Sequence, residues 1–305
     1  MLAAGILLTA CAASPAPDQA STALPTSSPS PAARGGFAGP IDIGEDRELY
    51  ATCRGEGSPT VVLISGTGGG VDEWMHVMPP DSPGAVPERS AASVFDQVAQ
   101  HARVCAYDRP GTTDFAGAMS PSTPVPQPTS AFDAADDLAA LLDAAGEEGP
   151  FVMVGASWGG LVAQAFAREH PEQVAGLVLV DAASMFLHEQ FTPEQWASWM
   201  AVIAASDTGD GSERPDYEAT RARWPDEDPP RVPAVVLSSD REWDLAVTPG
   251  ASTWTAWLAA QRALADSLGA RHVSDTGSGH GIAVEQPALV TDAILSIVAD
   301  ADESR

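Results

Sequence analysis

Short apolar runs alternate along this chain with longer stretches whose apolar residues return every three or four positions. Residues 49–53, 60–64, 104–107, 151–154, 174–180, 232–239 and 271–274 form the first set. Runs this short, most of them nearly continuous in apolar character, predict strands, and the continuous ones predict strands buried on both faces. The second set predicts helices over 88–102, 131–145, 161–168, 254–268 and 285–299. In 88–102, Val94, Phe95, Val98 and Ala99 share one face; in 131–145, Phe132, Ala135, Leu138, Leu141 and Leu142 do. Ser130 and Asp133 have the spacing of a capping box at the start of the second of these.

Residues 184–231 break the alternation. Thr192-Pro-Glu-Gln195 reads as a capping box with proline at the first helical position, and Trp196, Trp199, Met200 and Ile203 follow at helical spacing. Residues 207–230 are polar, proline-rich and read as irregular. The whole predicts an α/β fold: a mostly parallel sheet with helices on both faces, and a small helical cap inserted over the strand ends. Residues 11–40 are rich in Pro, Ser, Ala, Thr and Gly, too poor in large apolar groups to fold, and read as a tether. The domain is expected to run over 41–305.

Charge narrows the partners. The formal net charge is −27, from 42 acidic and 15 basic residues. Nucleic-acid backbones and anionic membrane surfaces are therefore poor partners. The acidic residues do not cluster into a metal site, and no metal or organic cofactor is expected.

Chemistry concentrates where a predicted strand, 151–154, runs into Gly155-Ala-Ser157-Trp-Gly159 and then a predicted helix. Strand, sharp turn and helix make this G-x-S-x-G stretch read as a nucleophile elbow. Glycines two before and two after the serine allow the turn. A serine hydroxyl is a weak nucleophile and needs an adjacent base. Of the six histidines, His76, His101, His170, His188 and His272 sit in or beside predicted helices, strands and the cap. His280 instead lies in Gly277-Ser-Gly-His280, a loop just after the last predicted strand.

With these pieces in this order, residues 41–299 resemble the α/β-hydrolase fold family. Ser65-Gly-Thr-Gly68 stands at the place of its His-Gly oxyanion loop, and Tyr107-Asp-Arg-Pro-Gly111 is similar to its turn after the next strand. The sequence departs from the family in having Ser65 for the usual histidine. Gly111-Thr-Thr-Asp114 also lacks the usual second glycine and serine. The resemblance implies Ser157 as nucleophile, His280 as base, and an oxyanion hole from the backbone amides of Thr67 and Trp158. It leaves two choices for the acid: Asp181, ending the strand after the nucleophile's own, and Asp240, after the following strand. Asp181 is preferred because 177–181 matches the strand-then-aspartate pattern, whereas the stretch after Ser239 lacks the usual Gly-x-x-Asp turn.

The implied activity is hydrolysis of carboxylic esters through an acyl-enzyme, with a small apolar or aromatic ester as substrate. The cap tryptophans, with Trp243, Trp254 and Trp257, are expected to contribute to the pocket. The alternatives are an aminopeptidase-like amide hydrolase, using cap acids such as Glu189, Glu194, Asp207 and Asp210 to hold an amine, and a non-catalytic ligand-binding relative.

The N-terminus carries a second resemblance. Residues 1–10 are apolar and uncharged, and Leu8-Thr-Ala-Cys11 resembles a bacterial lipobox, though without a basic n-region. This implies lipidation of Cys11 and an exported lipoprotein on the extracytoplasmic side of a bacterial membrane, touching the membrane only through that lipid. Cys53 and Cys105 would then sit in an oxidising compartment and form a disulfide; two buried free thiols are the alternative.

Overall fold

The apolar runs meet in one eight-stranded sheet. The computed structural model describes residues 35–79, 85–205, 211–226, 229–243 and 253–303, all within the compact unit Ala33–Arg305. A hairpin of β1 (Phe37–Gly44) and β2 (Arg47–Arg54) opens it, turning through Glu45 and Asp46, both at positive φ. Then come β3 (Val61–Ile64), the short α1 (Asp72–Met75) and a small two-stranded pair, β4 (His76–Val77) and β5 (Glu88–Arg89). The short α2 (Val94–Val98), β6 (Val104–Tyr107) and α3 (Ala131–Ala144) follow. Next are β7 (Phe151–Ala156), α4 (Trp158–Glu169) and β8 (Val174–Val180). The inserted segment holds α5 (Phe186–Gln190), α6 (Pro193–Ala205) and α7 (Tyr217–Arg223). Finally β9 (Ala234–Leu237), α8 (Trp254–Leu268), β10 (Arg271–Val273), α9 (Ile282–Glu285) and α10 (Pro287–Glu303) complete the fold.

The strand order is β1-β2-β6-β3-β7-β8-β9-β10. β1 and β2 run antiparallel to their neighbours, and the remaining strands are parallel. Every residue of β3, β6 and β7 is buried, whereas the edge strand β1 alternates between exposed and half-buried. Strand pleating assigns the core. Phe151 and Met153 face one apolar layer with Phe132 and Leu138 of α3, Phe166 of α4 and Leu264 of α8. Val152 and Val154 face the other, with Val94 and Phe95 of α2 and Ile294 and Ile297 of α10. Each large side chain so buried stabilises the fold by about 1.5–3 kcal/mol.

The structure shifts several sequence-based boundaries. The sheet starts at Phe37, inside the stretch expected as tether, because Gly39 and Pro40 look like linker residues but are tolerated on an edge strand. The expected helix 88–102 shrinks to α2, since Glu88 and Arg89 pair with β4 and Ser93 caps the helix, its hydroxyl accepting from the Asp96 amide. Within the supposedly irregular 207–230 lies α7, capped by Asp216, whose carboxylate accepts from the Ala219 amide at 2.8 Å. The last helix, expected from Glu285, is α10, which starts at Pro287 directly after the short α9. By contrast, β8, α8 and the Thr192–Gln195 capping box match their expected positions. Among the described residues, no helix is long and apolar enough to cross a membrane.

Cys53 and Cys105 are register partners on β2 and β6 and are joined by a disulfide. The bridge spans 52 residues of sequence, and closing a loop of that size stabilises by about 4 kcal/mol in the chain-entropy account. Replacing both cysteines by alanine is expected to lower unfolding stability in urea by about 2–5 kcal/mol. A urea midpoint equal to that of the wild type would contradict this.

Candidate active site

The parallel strands deliver the site's side chains to one edge. Ser157 follows β7, Asp181 follows β8, Ser239 lies just beyond β9, and His280 is on the loop after β10. The loop 65–70 follows β3, which lies beside β7. This is the carboxyl edge of the sheet, where open α/β sheets place their ligand crevices.

The elbow is tight enough to dictate its own sequence. Ser157 has φ 49° and ψ −120°, a conformation that costs on the order of 1–3 kcal/mol. A Cβ on Gly155 would lie 2.3 Å from the Gly159 carbonyl oxygen, and one on Gly159 would lie 2.2 Å from that of Ile64. Gly160 is equally constrained, since its Cβ would meet the Ala182 methyl at 2.2 Å; the motif gave no notice of that contact. Backbone bonds hold the turn: Ser157 N–H donates to Val180 at 3.1 Å, and the Ser157 carbonyl accepts from Ala183 at 2.8 Å.

Ser157, His280 and Asp181 are hydrogen-bonded in sequence. His280 Nε2 lies 3.0 Å from Ser157 Oγ, and Nδ1 lies 2.7 Å from Asp181 Oδ2. A carboxylate only accepts, so Nδ1 carries the proton and Nε2 is free to accept from the serine. Asp181 is fully buried. Its Oδ1 accepts from the Ser239 amide at 2.9 Å and from Trp257 Nε1 at 3.0 Å, and the Ser239 hydroxyl lies 2.9 Å from both of its oxygens. Trp243 Nε1 in turn donates to Ser239 Oγ at 3.0 Å. The two indoles also flank the imidazole: the Trp243 ring lies 4.0 Å from that of His280 at 30°, and Trp257 meets it edge-on.

Asp240, the other acid considered, does something else. It is exposed, and its two oxygens accept from the amides of Gly277 and Ser278 at 3.0 and 2.9 Å. Glu285 accepts from the Ser278 hydroxyl and the Gly279 amide. These carboxylates hold the loop that carries His280. Elsewhere, His272 bonds Ser238 Oγ and His76 bonds the Asp72 carbonyl, away from Ser157.

The loop 65–70 brings three successive amides past the serine. Gly66 lies so close that a Cβ there would be 3.3 Å from Ser157 Cβ. Its amide donates to Glu73 at 2.7 Å, and the Gly68 amide donates to Glu213 at 2.7 Å. Between them Thr67 is exposed, and its N–H has no protein acceptor among the described residues. Trp158 opens α4, so no helical carbonyl precedes its amide. Ser65, at the usual histidine position, is buried and spends its hydroxyl on the Gly70 carbonyl. Burial pushes the Glu73 carboxyl above its ordinary range, against the opposing effect of the Gly66 amide.

Several participants carried no signal in the sequence. Ser239 and Glu213 lie in stretches with no motif, and Glu73 sits beside Trp74 in the short α1. Trp243 and Trp257, expected to line a pocket, flank the histidine. The cap tryptophans also pack inward. Trp196 and Trp199 are buried against each other and Tyr217, which meets Trp158 at 4.9 Å. Of the cap acids, Glu189 and Glu194 are exposed; Asp207 and Asp210 fall outside the described residues, as does Cys11. Two groups of metal-type ligands occur among the described residues. Cys53 and Cys105 beside Glu147 are consumed by the disulfide; in the second group Asp136 lies on α3, and Glu169 and His170 lie at the end of α4 opposite the elbow.

Comparison with known proteins bears on the family and the fold. A family model for the alpha/beta hydrolase fold matches residues 59–214, just over half the chain. Lipase LipV of Mycobacterium tuberculosis is 44% identical over 97 residues, which are 32% of this chain and 35% of LipV. The chain thus matches about a third of that relative's length. An esterase structure from Thermogutta terrifontis superposes with a TM-score of 0.56 at 20% identity, covering 87% of this chain and 99% of the esterase. Naproxen esterase from Bacillus subtilis gives 0.56 at 19%, covering 86% and 90%. At these identities the structural likeness is one of fold. The family match over half the sequence nevertheless makes this chain a member of the α/β-hydrolase fold family.

Proposed function

We propose that this protein is a serine hydrolase that cleaves carboxylic esters through an acyl-enzyme. The observation that carries this is the unbroken hydrogen-bonded series from Ser157 through His280 to buried Asp181. Ser157 Oγ attacks the ester carbonyl carbon while His280 Nε2 takes its proton. The imidazolium, stabilised by Asp181, then gives that proton to the departing alkoxide. Water, deprotonated by the same nitrogen, attacks the acyl carbon; the bond to Ser157 Oγ breaks, that oxygen takes the proton back from His280, and the acid leaves. The amides of Thr67 and Trp158 would receive the oxyanion in both halves of the reaction.

The substrate proposed is a small apolar or aromatic ester. The two indoles beside His280 support this, as do relatives named as a lipase and esterases. The Cys53–Cys105 bridge supports an oxidising compartment, and with it the exported lipoprotein expected from Cys11.

The test has two arms. A fluorophosphonate probe is expected to label the native protein on one serine, and aryl acetates and butyrates should turn over faster than aminoacyl anilides. Faster anilide cleavage would replace the ester reading with the amide one. Complete absence of labelling and turnover would leave only ligand binding.

A further inference from the structure

The loop 65–70 is gripped from behind by a buried ion pair whose carboxylate comes from the inserted segment. Arg109 and Glu213 are both almost wholly buried. Arg109 Nε donates to Glu213 Oε1 at 2.5 Å and Nη2 to Oε2 at 3.0 Å. The same Nη2 donates to the Gly66 carbonyl at 2.7 Å, and the same Oε2 accepts from the Gly68 amide at 2.7 Å. The pair therefore straddles Thr67. We infer that Arg109, clamped by Glu213, is the positioning residue that aims and polarises the Thr67 amide for the oxyanion, which rests on the ester-hydrolase proposal above.

The geometry follows from one peptide unit. The Gly66 carbonyl and the Thr67 N–H belong to the same planar group, and among the described residues only X–Pro bonds are cis. In a trans peptide the C=O and N–H bonds point to opposite sides of the chain. A guanidinium holding the Gly66 oxygen, which also accepts from the Gly69 amide at 3.2 Å, thus fixes the Thr67 N–H to point away from Arg109. The flanking amides are already spent on Glu73 and Glu213, so Thr67 is left as the donor. A charged donor on the carbonyl also withdraws electron density through the amide and strengthens the N–H as a donor, more so at low dielectric. Burial works against the Arg109 charge, but Glu213 beside it more than offsets that, and the guanidinium stays charged.

A buried ion pair is weak as a stabilising device, because desolvation cancels most of the attraction. Its placement on two peptides of this loop gives it a different purpose. The inserted segment is built to deliver Glu213. The Glu213 amide donates to the Gly111 carbonyl at 2.9 Å, the Thr129 amide donates to Arg214, and the Asp216 amide donates back to Thr129. Gly111 sits at φ 84°, and a Cβ there would be 2.6 Å from the Glu213 nitrogen. Only glycine lets the segment come this close.

The test compares Arg109→Met, the volume-conserving pair Arg109→Met/Glu213→Met, and Glu213→Gln with the wild type in the full chain. Kinetics on p-nitrophenyl acetate are read beside inhibition by phenylboronic acid, whose tetrahedral serine adduct places an oxygen where the oxyanion forms. Thermal unfolding identifies the folded variants; the double variant leaves no buried charge unpaired. With the donor mis-aimed, kcat is expected to fall about 30- to 100-fold with KM within about threefold, and the boronate inhibition constant to rise by a similar factor. Glu213→Gln keeps the side-chain shape and is expected to lose about 5- to 10-fold. A folded double variant with kcat within about threefold of wild type, or a kcat loss with unchanged boronate affinity, would overturn the inference. A wild type that neither labels with fluorophosphonate nor hydrolyses esters would instead overturn the ester-hydrolase proposal, and this one with it.

Discussion

Replacing Ser157 by alanine is expected to lower kcat on aryl esters by about 10⁵- to 10⁶-fold and to abolish fluorophosphonate labelling. The size follows from what the hydroxyl does. Without Oγ no acyl-enzyme forms, and His280 has no proton to take. The residual rate comes from the oxyanion donors and from substrate binding, which remain. The fold has little reason to change, because Ser157 makes its structural bonds through its backbone N–H and carbonyl. Alanine keeps that backbone, although it shares the serine's dislike of positive φ. The measurement is single-turnover hydrolysis, with thermal unfolding as the control. Retention of more than about 1% of wild-type kcat in an unlabelled variant would mean that another nucleophile does the work.

Asp181→Asn is expected to lower kcat by about 10⁴-fold, with Asp240→Asn far milder. The asparagine amide would be isosteric, and it must still satisfy Ser239, Trp257 and His280. Whichever way it turns, one partner meets the wrong group. Trp257 Nε1 and the Ser239 amide are both donors aimed at Oδ1, so they hold the carbonyl of the asparagine there. Its NH₂ then faces His280 Nδ1, which must switch to acceptor, leaving the proton on Nε2. The serine then has no base. Asp240→Asn instead weakens two bonds to the Gly277 and Ser278 amides. It loosens the loop without changing the tautomer, and about a tenfold loss is the expected scale. A mild effect at position 181 beside a severe one at 240 would reverse the assignment of the acid.

Much of this arrangement could be read from the sequence, for definable reasons. The central strands β3, β6 and β7 are fully buried, so their apolar runs are continuous, and β8 matches its expected span residue for residue. The elbow was legible because α4 comes too close to β7 for a side chain at Gly155, and too close to the end of β3 for one at Gly159. His280 and Asp181 were legible from position, since chain order fixes which loops leave the same sheet edge. What stayed hidden arises from long-range contact. Glu213 reaches Arg109 across 104 residues, and nothing local to the polar segment announces it. α7 is short and shows the core only Tyr217 and Thr220, too few positions to set a period. The cap tryptophans had helical spacing, which predicts a buried face but not whether protein or ligand covers it.

The backbone joins Ser157 and Asp181 more firmly than their side chains do. Ser157 N–H bonds to the residue before Asp181, and Asp181 N–H bonds to Leu237 at 2.7 Å. Both are therefore bonded directly to the sheet, and their spacing follows its register. His280 alone stands on a loop, tied down by Asp240 and Glu285 through bonds near solvent. Such segments open at a lower free energy than central strands. On warming, the histidine loop should leave its place while the sheet is still native, so that catalysis fails first and returns on cooling without any refolding of the chain.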